Sequence, residues 1–89
     1  MEFDWDERKR SANLAKHGLD FTDVADLAWE KAQFIVDDRR DYGESRYRAF
    51  GLWKGRLCIV AFTLRGEKAR IISFRKANDR EVRRYGQKT

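Results

Sequence analysis

Three β-type segments follow one another in the second half of the chain, with only short polar breaks between them. They are Arg46–Trp53, Arg56–Leu64 and Ala69–Lys76, and each is rich in β-branched or aromatic side chains. Lys54-Gly55 fits a two-residue hairpin turn, and Gly66-Glu67-Lys68 fits a three-residue turn. Strands joined by such short breaks must pair antiparallel, because a parallel connection needs a dozen or more residues. The pattern therefore predicts an antiparallel meander at the centre of the fold.

Helix signals lie on both sides of these strands. Asp6 is a typical N-cap and Gly18 a left-handed C-terminal residue, which predicts a helix over Glu7–His17. Asn78, with Glu81 three residues later, has the spacing of a capping box and predicts a final helix near the end of the chain. The other expected elements are a helix that opens at Asp20 and ends near Trp29, a short strand over residues 32–37 and an extra strand over residues 3–5.

This order of elements is typical of an α+β domain whose small antiparallel sheet is packed by N-terminal helices and a C-terminal helix. With 89 residues, the chain is expected to form a single domain over residues 1–89. No apolar run approaches the ~20 residues that a membrane span needs. The single cysteine, Cys58, lies in an apolar stretch and is expected to be a buried thiol of a protein in the reducing cytoplasm.

The two turns also predict which side chains share a face of the sheet. A two-residue turn pairs Tyr47 with Phe62, and a three-residue second turn pairs Phe62 with Ile72 and places Arg70 on the same side as the core. The predicted core face carries Tyr47, Ala49, Trp53, Cys58, Val60, Phe62, Ile72 and Phe74. The opposite face carries Arg46, Arg48, Thr63, Arg65, Ser73 and Arg75. Four guanidinium groups on one face repel one another unless an anion lies among them.

Charge is divided unevenly along the chain. Residues 1–43 carry seven Lys and Arg against eleven Asp and Glu, whereas residues 44–89 carry thirteen against four, and the net charge is +5. A strongly basic half indicates a polyanionic partner, most commonly a nucleic acid. The alternative is structural: the arginines are solvated or paired with acidic residues of the preceding loop, namely Asp37, Asp38, Asp41 and Glu44.

Four stretches together resemble one protein family. They are "FDWDERKRSANLAKHGLDFTDVA", "DYGESRYRAFG", "GRLCIVAFTLRG" and "RIISFRKANDREVRRY", which cover nearly the whole chain. In this order and spacing they resemble the BrnT family of bacterial type II toxins, although each would be weak alone. Two positions depart from the family pattern, since Asp20 stands where Ser is frequent and Phe74 where a small residue is frequent. Both substitutions keep the chemistry of helix capping or of burial.

The resemblance implies a compact ribonuclease with a RelE-like fold that inhibits translation by cutting mRNA. It also implies inhibition by a BrnA-like antitoxin, whose ribbon-helix-helix part binds operator DNA, so that DNA is contacted only through the antitoxin. Two rival readings remain open from the residues alone. One is a non-catalytic nucleic-acid-binding or co-repressor module, and the other is a domain whose basic face binds an acidic protein segment.

Cleavage of RNA needs no protein nucleophile, because the 2′-OH group of the RNA attacks the phosphate. Arg65 and Arg75 are therefore expected to hold the phosphate and stabilise charge on its oxygens. His17 is the one side chain whose ordinary pKa is near neutrality, so it is a candidate general acid or base, although it could equally cap the end of its helix. One His and one Cys are too few for a His/Cys metal site, so no metal and no cofactor is expected.

Five further residues are expected to contact RNA. Arg46 and Arg48 share the predicted arginine-bearing face, and Lys76 follows Arg75 at the strand end, although its side chain starts on the opposite face. The remaining candidates are Arg70, near the margin of the sheet, and Tyr85, which either packs in the fold or stacks on a base.

Overall fold

The computed structural model describes residues 1–86 and contains five strands and two α-helices within that range. In chain order the elements are β1 (Glu2–Trp5), α1 (Glu7–His17), β2 (Gln33–Asp37), β3 (Arg46–Trp53), β4 (Arg56–Arg65), β5 (Lys68–Lys76) and α2 (Asp79–Tyr85). The α+β class is confirmed, and most element boundaries match the sequence prediction within a residue or two. None of the helices in residues 1–86 is both long enough and apolar enough to cross a bilayer.

The five strands form one sheet in the order β1-β5-β4-β3-β2. Strands β2 to β5 pair antiparallel, as predicted for the meander. The extra N-terminal strand runs parallel to β5, with Trp5 opposite Ile71, so the complete sheet is mixed. This parallel pairing is possible because α1 and the segment after it lie between β1 and the meander along the chain.

The hairpin between β3 and β4 has the predicted register. Lys54 and Gly55 both have positive φ, at 51° and 74°, as a two-residue turn of this hairpin type requires. Tyr47 lies opposite Phe62 and Ala49 opposite Val60, so alternate side chains of both strands reach the core.

The hairpin between β4 and β5 differs from the prediction. Its turn has two residues, since Arg65 lies opposite Lys68, and a β-bulge shifts the register at Ala61 and Phe62. The bulge leaves Val60 opposite Phe74, as predicted, but puts Ile71 rather than Ile72 opposite Phe62. One extra residue in β5 thus changes which side chains face the core before and after it.

The core lies between the sheet and a layer formed by α1 and the segment after it. Ile71 is 1% exposed, whereas Ile72 is partly exposed, which corrects the predicted core membership. The largest fully buried side chains are Phe21, Phe74, Ile71, Val24, Val60 and Cys58. The thiol of Cys58 is buried, as expected, and burial raises its pKa.

The predicted second helix is replaced by two 3₁₀ helices, Phe21–Asp26 and Trp29–Lys31. Asp20 caps the first of them, as predicted, by accepting a hydrogen bond from the Thr22 N–H. An α-helix would need the Ala28 N–H for the Val24 carbonyl, but that N–H donates to the Leu52 carbonyl of β3. The Trp29 indole N–H donates to the Val24 carbonyl instead, at 2.9 Å.

Asn13 fastens α1 to the open edge of β5 beyond its pairing with β1. Its side-chain amide donates to the Phe74 carbonyl at 2.8 Å, and its side-chain oxygen accepts from the Phe74 N–H at 3.1 Å. The same amide donates to the Leu19 carbonyl at 3.0 Å. Asn13 thus satisfies the backbone of β5 as a neighbouring strand would, and it is buried in doing so.

Helix α2 packs on the opposite face of the sheet. Its predicted capping box between Asn78 and Glu81 is present in both directions. The Tyr85 ring stacks on Phe50 with centroids 4.1 Å apart, and the Gln33 amide donates to the Tyr85 carbonyl. The contacts of Tyr85 hold the C-terminal end of α2 against the sheet, beside the arginine-bearing surface described next.

Candidate active site

The sheet face under α2 carries most of the arginines that sequence analysis singled out. We call it the arginine face, and its arginines are Arg46, Arg48, Arg65, Arg70 and Arg75. The strand registers arrange its side chains in rows across the sheet. One row runs from Phe50 through Ile59 to Arg75. The next runs from Arg48 through the small residues Ala61 and Ser73, which leave space above the sheet.

Arg75 is held by α2. Its Nη1 and Nη2 groups donate to the two carboxylate oxygens of Glu81, each at 2.9 Å, and Nη1 also lies 3.3 Å from the Lys76 carbonyl. These hydrogen bonds lower the pKa of Glu81 and raise that of Arg75, so both groups are ionised at neutral pH. The Arg75 side chain remains 30% exposed, so solvent and a ligand can still reach it.

His17, the last residue of α1, lies within range of the positive charge of Arg75. It shares an open cleft of about 280 Å³ with Ser73, Lys9 and Lys16. Its pKa is lowered, first by burial and then by the positive charges of Lys16 and Arg75. The structure therefore places His17 where the charge of Arg75 acts on it, and an imidazole whose pKa is lowered from 6.5 is neutral at pH 7.

Arg65 shares the arginine face with Arg75, as predicted, but lies at its other end. Arg65 is opposite Lys68, whereas Arg75 is opposite Ile59, so six residues of β4 separate the two positions. At the usual rise of a strand, this is ~20 Å between Cα atoms. Arg65 also forms a salt bridge of 3.3 Å with Glu44. The two arginines are thus suited to different phosphates rather than to one.

Arg46 and Arg48 occupy the middle of the face and have unsatisfied donors. Within residues 1–86, the buried Nε groups of both lack a hydrogen-bond partner. Arg46 Nε is 3.8 Å from Glu44, which is too long for a hydrogen bond, and its guanidinium lies 4.0 Å from the Tyr42 ring centroid. Native proteins seldom leave buried donors unpaired, so an acceptor from outside the chain would be stabilising here.

The three remaining candidates lie around the margins of this surface. Arg70 is opposite Thr63 and so lies on the arginine face, which corrects the predicted core side, and it pairs with Asp4 at 3.6 Å. Lys76 is opposite Cys58, so its side chain starts on the other face, as expected. Tyr85 packs on Phe50, which is the structural role foreseen for it.

A family model described as a ribonuclease toxin, BrnT, of type II toxin–antitoxin systems matches residues 5–81. The chain belongs to the BrnT family. This confirms the resemblance found in the sequence, and it makes the chain a member of a family of ribonuclease toxins that work with an antitoxin. No curated protein matches the chain.

Some residues of this BrnT-family site were missed by sequence reasoning. Glu81 was predicted only as a helix cap, and its pairing with Arg75 depends on where α2 folds back on the sheet. Asn13 was read only as part of a motif, although a polar residue on the packed side of a helix is a usable signal. Arg39 also acts on the site, since its charge opposes protonation of Arg75 while it pairs with Asp37 at 2.8 Å.

The described residues 1–86 contain no group of three or more His, Cys, Asp and Glu side chains arranged to hold a metal ion. The cleft itself is lined by two lysine ammonium groups, the His17 imidazole and the Ser73 hydroxyl, and the guanidinium groups lie on the arginine face. Such a set can bind a phosphodiester and accept one proton, which is the chemistry that a ribonuclease of this family has to perform.

Proposed function

We propose that the chain is a metal-independent endoribonuclease toxin that inhibits translation by cutting mRNA. The observation that carries this proposal is that the charge of Arg75 acts on His17, whose pKa is lowered chiefly by burial, while Arg48 lies in the row next to Arg75. This arrangement supplies a proton acceptor beside groups that bind a phosphate. Sequence composition alone supported binding of a polyanion but not its cleavage.

The proposed reaction is an in-line transesterification. Neutral His17 accepts the proton of the 2′-OH group while the oxygen of that group forms a bond to phosphorus. The bond between phosphorus and the 5′-oxygen then breaks, and that oxygen takes up a proton from solvent water. Arg75 and Arg48 bind the non-bridging oxygens as negative charge builds up on them, and one such donor is typically worth ~3 kcal/mol.

Other arginines extend the surface for the rest of the RNA. Arg46 lies two residues before Arg48 on the same side of β3, and its buried Nε lacks a partner within residues 1–86. Arg65 and Arg70 lie towards the turn between β4 and β5 and would contact phosphates away from the scissile one. Lys76, the last residue of β5, and Tyr85, the last residue of α2, border the other end.

Metal independence is supported by the character of the side chains rather than by any absence of an ion. The cleft is lined by two lysines, Lys9 and Lys16, and no cluster of carboxylates lies within residues 1–86, so the cleft would repel a divalent metal ion. Arginine groups can provide the electrostatic stabilisation that a metal ion provides in other nucleases.

The proposed partner is a BrnA-like antitoxin with a ribbon-helix-helix part that contacts operator DNA, since the family works within a type II pair. The proposed compartment is the cytoplasm, where mRNA is found. Both proposals go beyond the family assignment. The partner is inferred from the type II pair, and the compartment is inferred from the proposed substrate.

The test is cleavage of a defined RNA in EDTA, with the fragment ends analysed by mass. We expect undiminished cleavage, with 2′,3′-cyclic phosphate or 3′-phosphate ends and 5′-hydroxyl ends. Loss of activity in EDTA that returns with Mg²⁺, together with 5′-phosphate ends, would contradict the proposal, because those ends result from attack by water. Growth arrest by the wild-type chain but not by Arg75→Ala would exclude the non-catalytic binding module.

A further inference from the structure

We propose that Glu81 is a positioning residue that fixes the guanidinium of Arg75 so that its free edge faces the scissile phosphate. The proposal rests on the proposed function, in which Arg75 contacts that phosphate. It assigns to α2, beyond its packing on the sheet, a part in arranging the site.

The donors of Arg75 divide into two edges. A guanidinium has five N–H groups: two on Nη1, two on Nη2 and one on Nε. Glu81 takes one from Nη1 and one from Nη2, and the Lys76 carbonyl takes the other from Nη1. Within residues 1–86, the Nε–H and the second Nη2–H have no partner, and they lie side by side on the same edge. Two parallel donors of this kind match two oxygens of a phosphate.

Glu81 is itself held in place from two directions. Its carboxylate accepts the Asn78 N–H at 2.9 Å, and its own N–H donates to the Asn78 side chain at 2.8 Å. The Glu81 side chain is only 14% exposed. At the far end of α2, Tyr85 is stacked on Phe50 and its carbonyl accepts from Gln33. The carboxylate is therefore a rigid anchor rather than a surface group that happens to lie nearby.

A fixed guanidinium loses little freedom when it binds a phosphate. An exposed arginine samples many rotamers, and binding then costs side-chain entropy that weakens both ground-state and transition-state contacts. Small displacements of a catalytic group are costly, since an error of about 1 Å can reduce a rate ~10²-fold. The bidentate bond to Glu81 fixes the plane and the rotation of the Arg75 guanidinium before RNA arrives.

The central experiment compares Glu81→Gln with Asn78→Ala. Glutamine can still form a capping box, so the Glu81→Gln variant keeps the helix cap but loses the carboxylate that binds both Nη groups. Asn78→Ala removes the side-chain half of the same cap and leaves the Arg75–Glu81 pair intact. Single-turnover rates, KM values and melting temperatures are measured for both variants, for Arg75→Ala and for the double variant Arg75→Ala/Glu81→Gln.

We expect Glu81→Gln to lower the single-turnover rate ~10-fold or more, with little change in melting temperature. Asn78→Ala should lower the melting temperature but lower the rate less than Glu81→Gln does, because the Asn78 N–H still holds the Glu81 carboxylate. In the Arg75→Ala background, adding Glu81→Gln should have no further effect, because the residue that Glu81 positions is gone. If Glu81 had a purely structural role, Glu81→Gln would lower the rate in that background as well.

Two outcomes would overturn the inference. One is a Glu81→Gln variant as fast as or faster than the wild type, which would mean that Glu81 is dispensable or competes with the phosphate. The other is a Glu81→Gln substitution that lowers the single-turnover rate by the same factor in the wild-type and in the Arg75→Ala background. Failure of the proposed function looks different, because Arg75→Ala itself would then cleave RNA at the wild-type rate.

Discussion

Asn13 and His17 lie four residues apart on α1, one above the other on the same side of the helix, and have different roles. Asn13 is buried and bonded to the backbone of β5, whereas His17 lies in the open cleft at the helix end. Because Asn13 fixes α1 against β5, it also fixes the distance between His17 and the arginine face. A single turn of helix therefore joins a structural anchor to a candidate proton acceptor.

The lowered pKa of His17 gives a prediction about pH. At pH 7 the imidazole is neutral and able to accept a proton, and as the pH falls below 6.5 through the His17 pKa it becomes protonated. The cleavage rate should therefore fall on the acid side of neutrality. His17→Ala should lower the rate ~10²-fold or more and abolish this decline. The measurement is the single-turnover rate between pH 5 and pH 8, a span set around the ordinary pKa of ~6.5.

Unfolding should not imitate this decline. Hydrogen bonds from Arg10 and Arg39 lower the pKa values of Asp20 and Asp37 to about 2, so both salt bridges persist well below the pH range of the assay. Their stabilising effect is present above pH ~4 and is lost as the pH falls towards 2. If the cleavage rate of the His17→Ala variant still fell at low pH as it does in the wild type, another group would be the proton acceptor.

At the scale of elements, local signals predicted most of the fold. The caps at Asp6 and Asn78 and the turn at Lys54-Gly55 act within a few residues, so the sequence reveals them directly. The bulge at Ala61 and Phe62 could not be inferred, because an apolar pattern can fit either a longer turn or an extra residue within the strand. The position of Arg70 and the choice of Ile71 over Ile72 both depend on it.

The site was predictable to a similar degree. Alternation along the strands placed Arg46, Arg48 and Arg75 on one face. This prediction held because the extra residue of the bulge in β5 makes up for the shorter turn, so that Val60 still lies opposite Phe74. The Glu81 contact was not predictable, because it depends on the direction in which α2 leaves the sheet. Tertiary packing also replaced the expected second α-helix with 3₁₀ turns, since the Ala28 N–H bonds to β3.

The attachment of α1 to β5 should carry much of the stability of the fold. Asn13→Ala leaves the Phe74 N–H, the Phe74 carbonyl and the Leu19 carbonyl without their side-chain partner. An unsatisfied buried polar group costs roughly 1–3 kcal/mol, so the expected loss in free energy of unfolding is ~2–4 kcal/mol. Urea unfolding measures it, with Asn78→Ala as the exposed counterpart, expected to lose ~1 kcal/mol. Equal losses in the two variants would refute the anchoring role.

At the scale of the whole molecule, the arginine face extends well beyond the candidate catalytic centre. Its ends at Arg65 and Arg75 are six residues of β4 apart, and acidic residues pair with some of its cations, such as Glu44 with Arg65. The structural alternative for the arginines is thus realised in part. Such internal pairs leave the surface net basic while keeping its side chains ordered for a long, flexible polyanion.

RNA binding should accordingly depend strongly on salt. The affinity for an RNA blocked with 2′-O-methyl groups should fall linearly in a log–log plot, with a slope of ~0.7 for each phosphate contacted. Arg65→Ala should reduce the slope by about one such unit, because Arg65 is proposed to contact a phosphate of its own. Arg8→Ala, an exposed substitution on α1, should leave the slope unchanged. Affinity that does not respond to salt would remove the electrostatic basis of the surface.

The parallel pairing of β1 with β5 has a consequence for biosynthesis. Asn13 and its partner Phe74 are 61 residues apart, and β1 pairs with residues 68–71. The contacts of β1 and α1 with the sheet therefore cannot form until β5 has been synthesised. A nascent chain that has not yet released β5 from the ribosome has neither Arg75 nor the edge that holds α1. Contacts of such long sequence separation form late and slowly. In the proposed function, a nascent chain therefore has no complete site, and cuts no RNA, until β5 has left the ribosome.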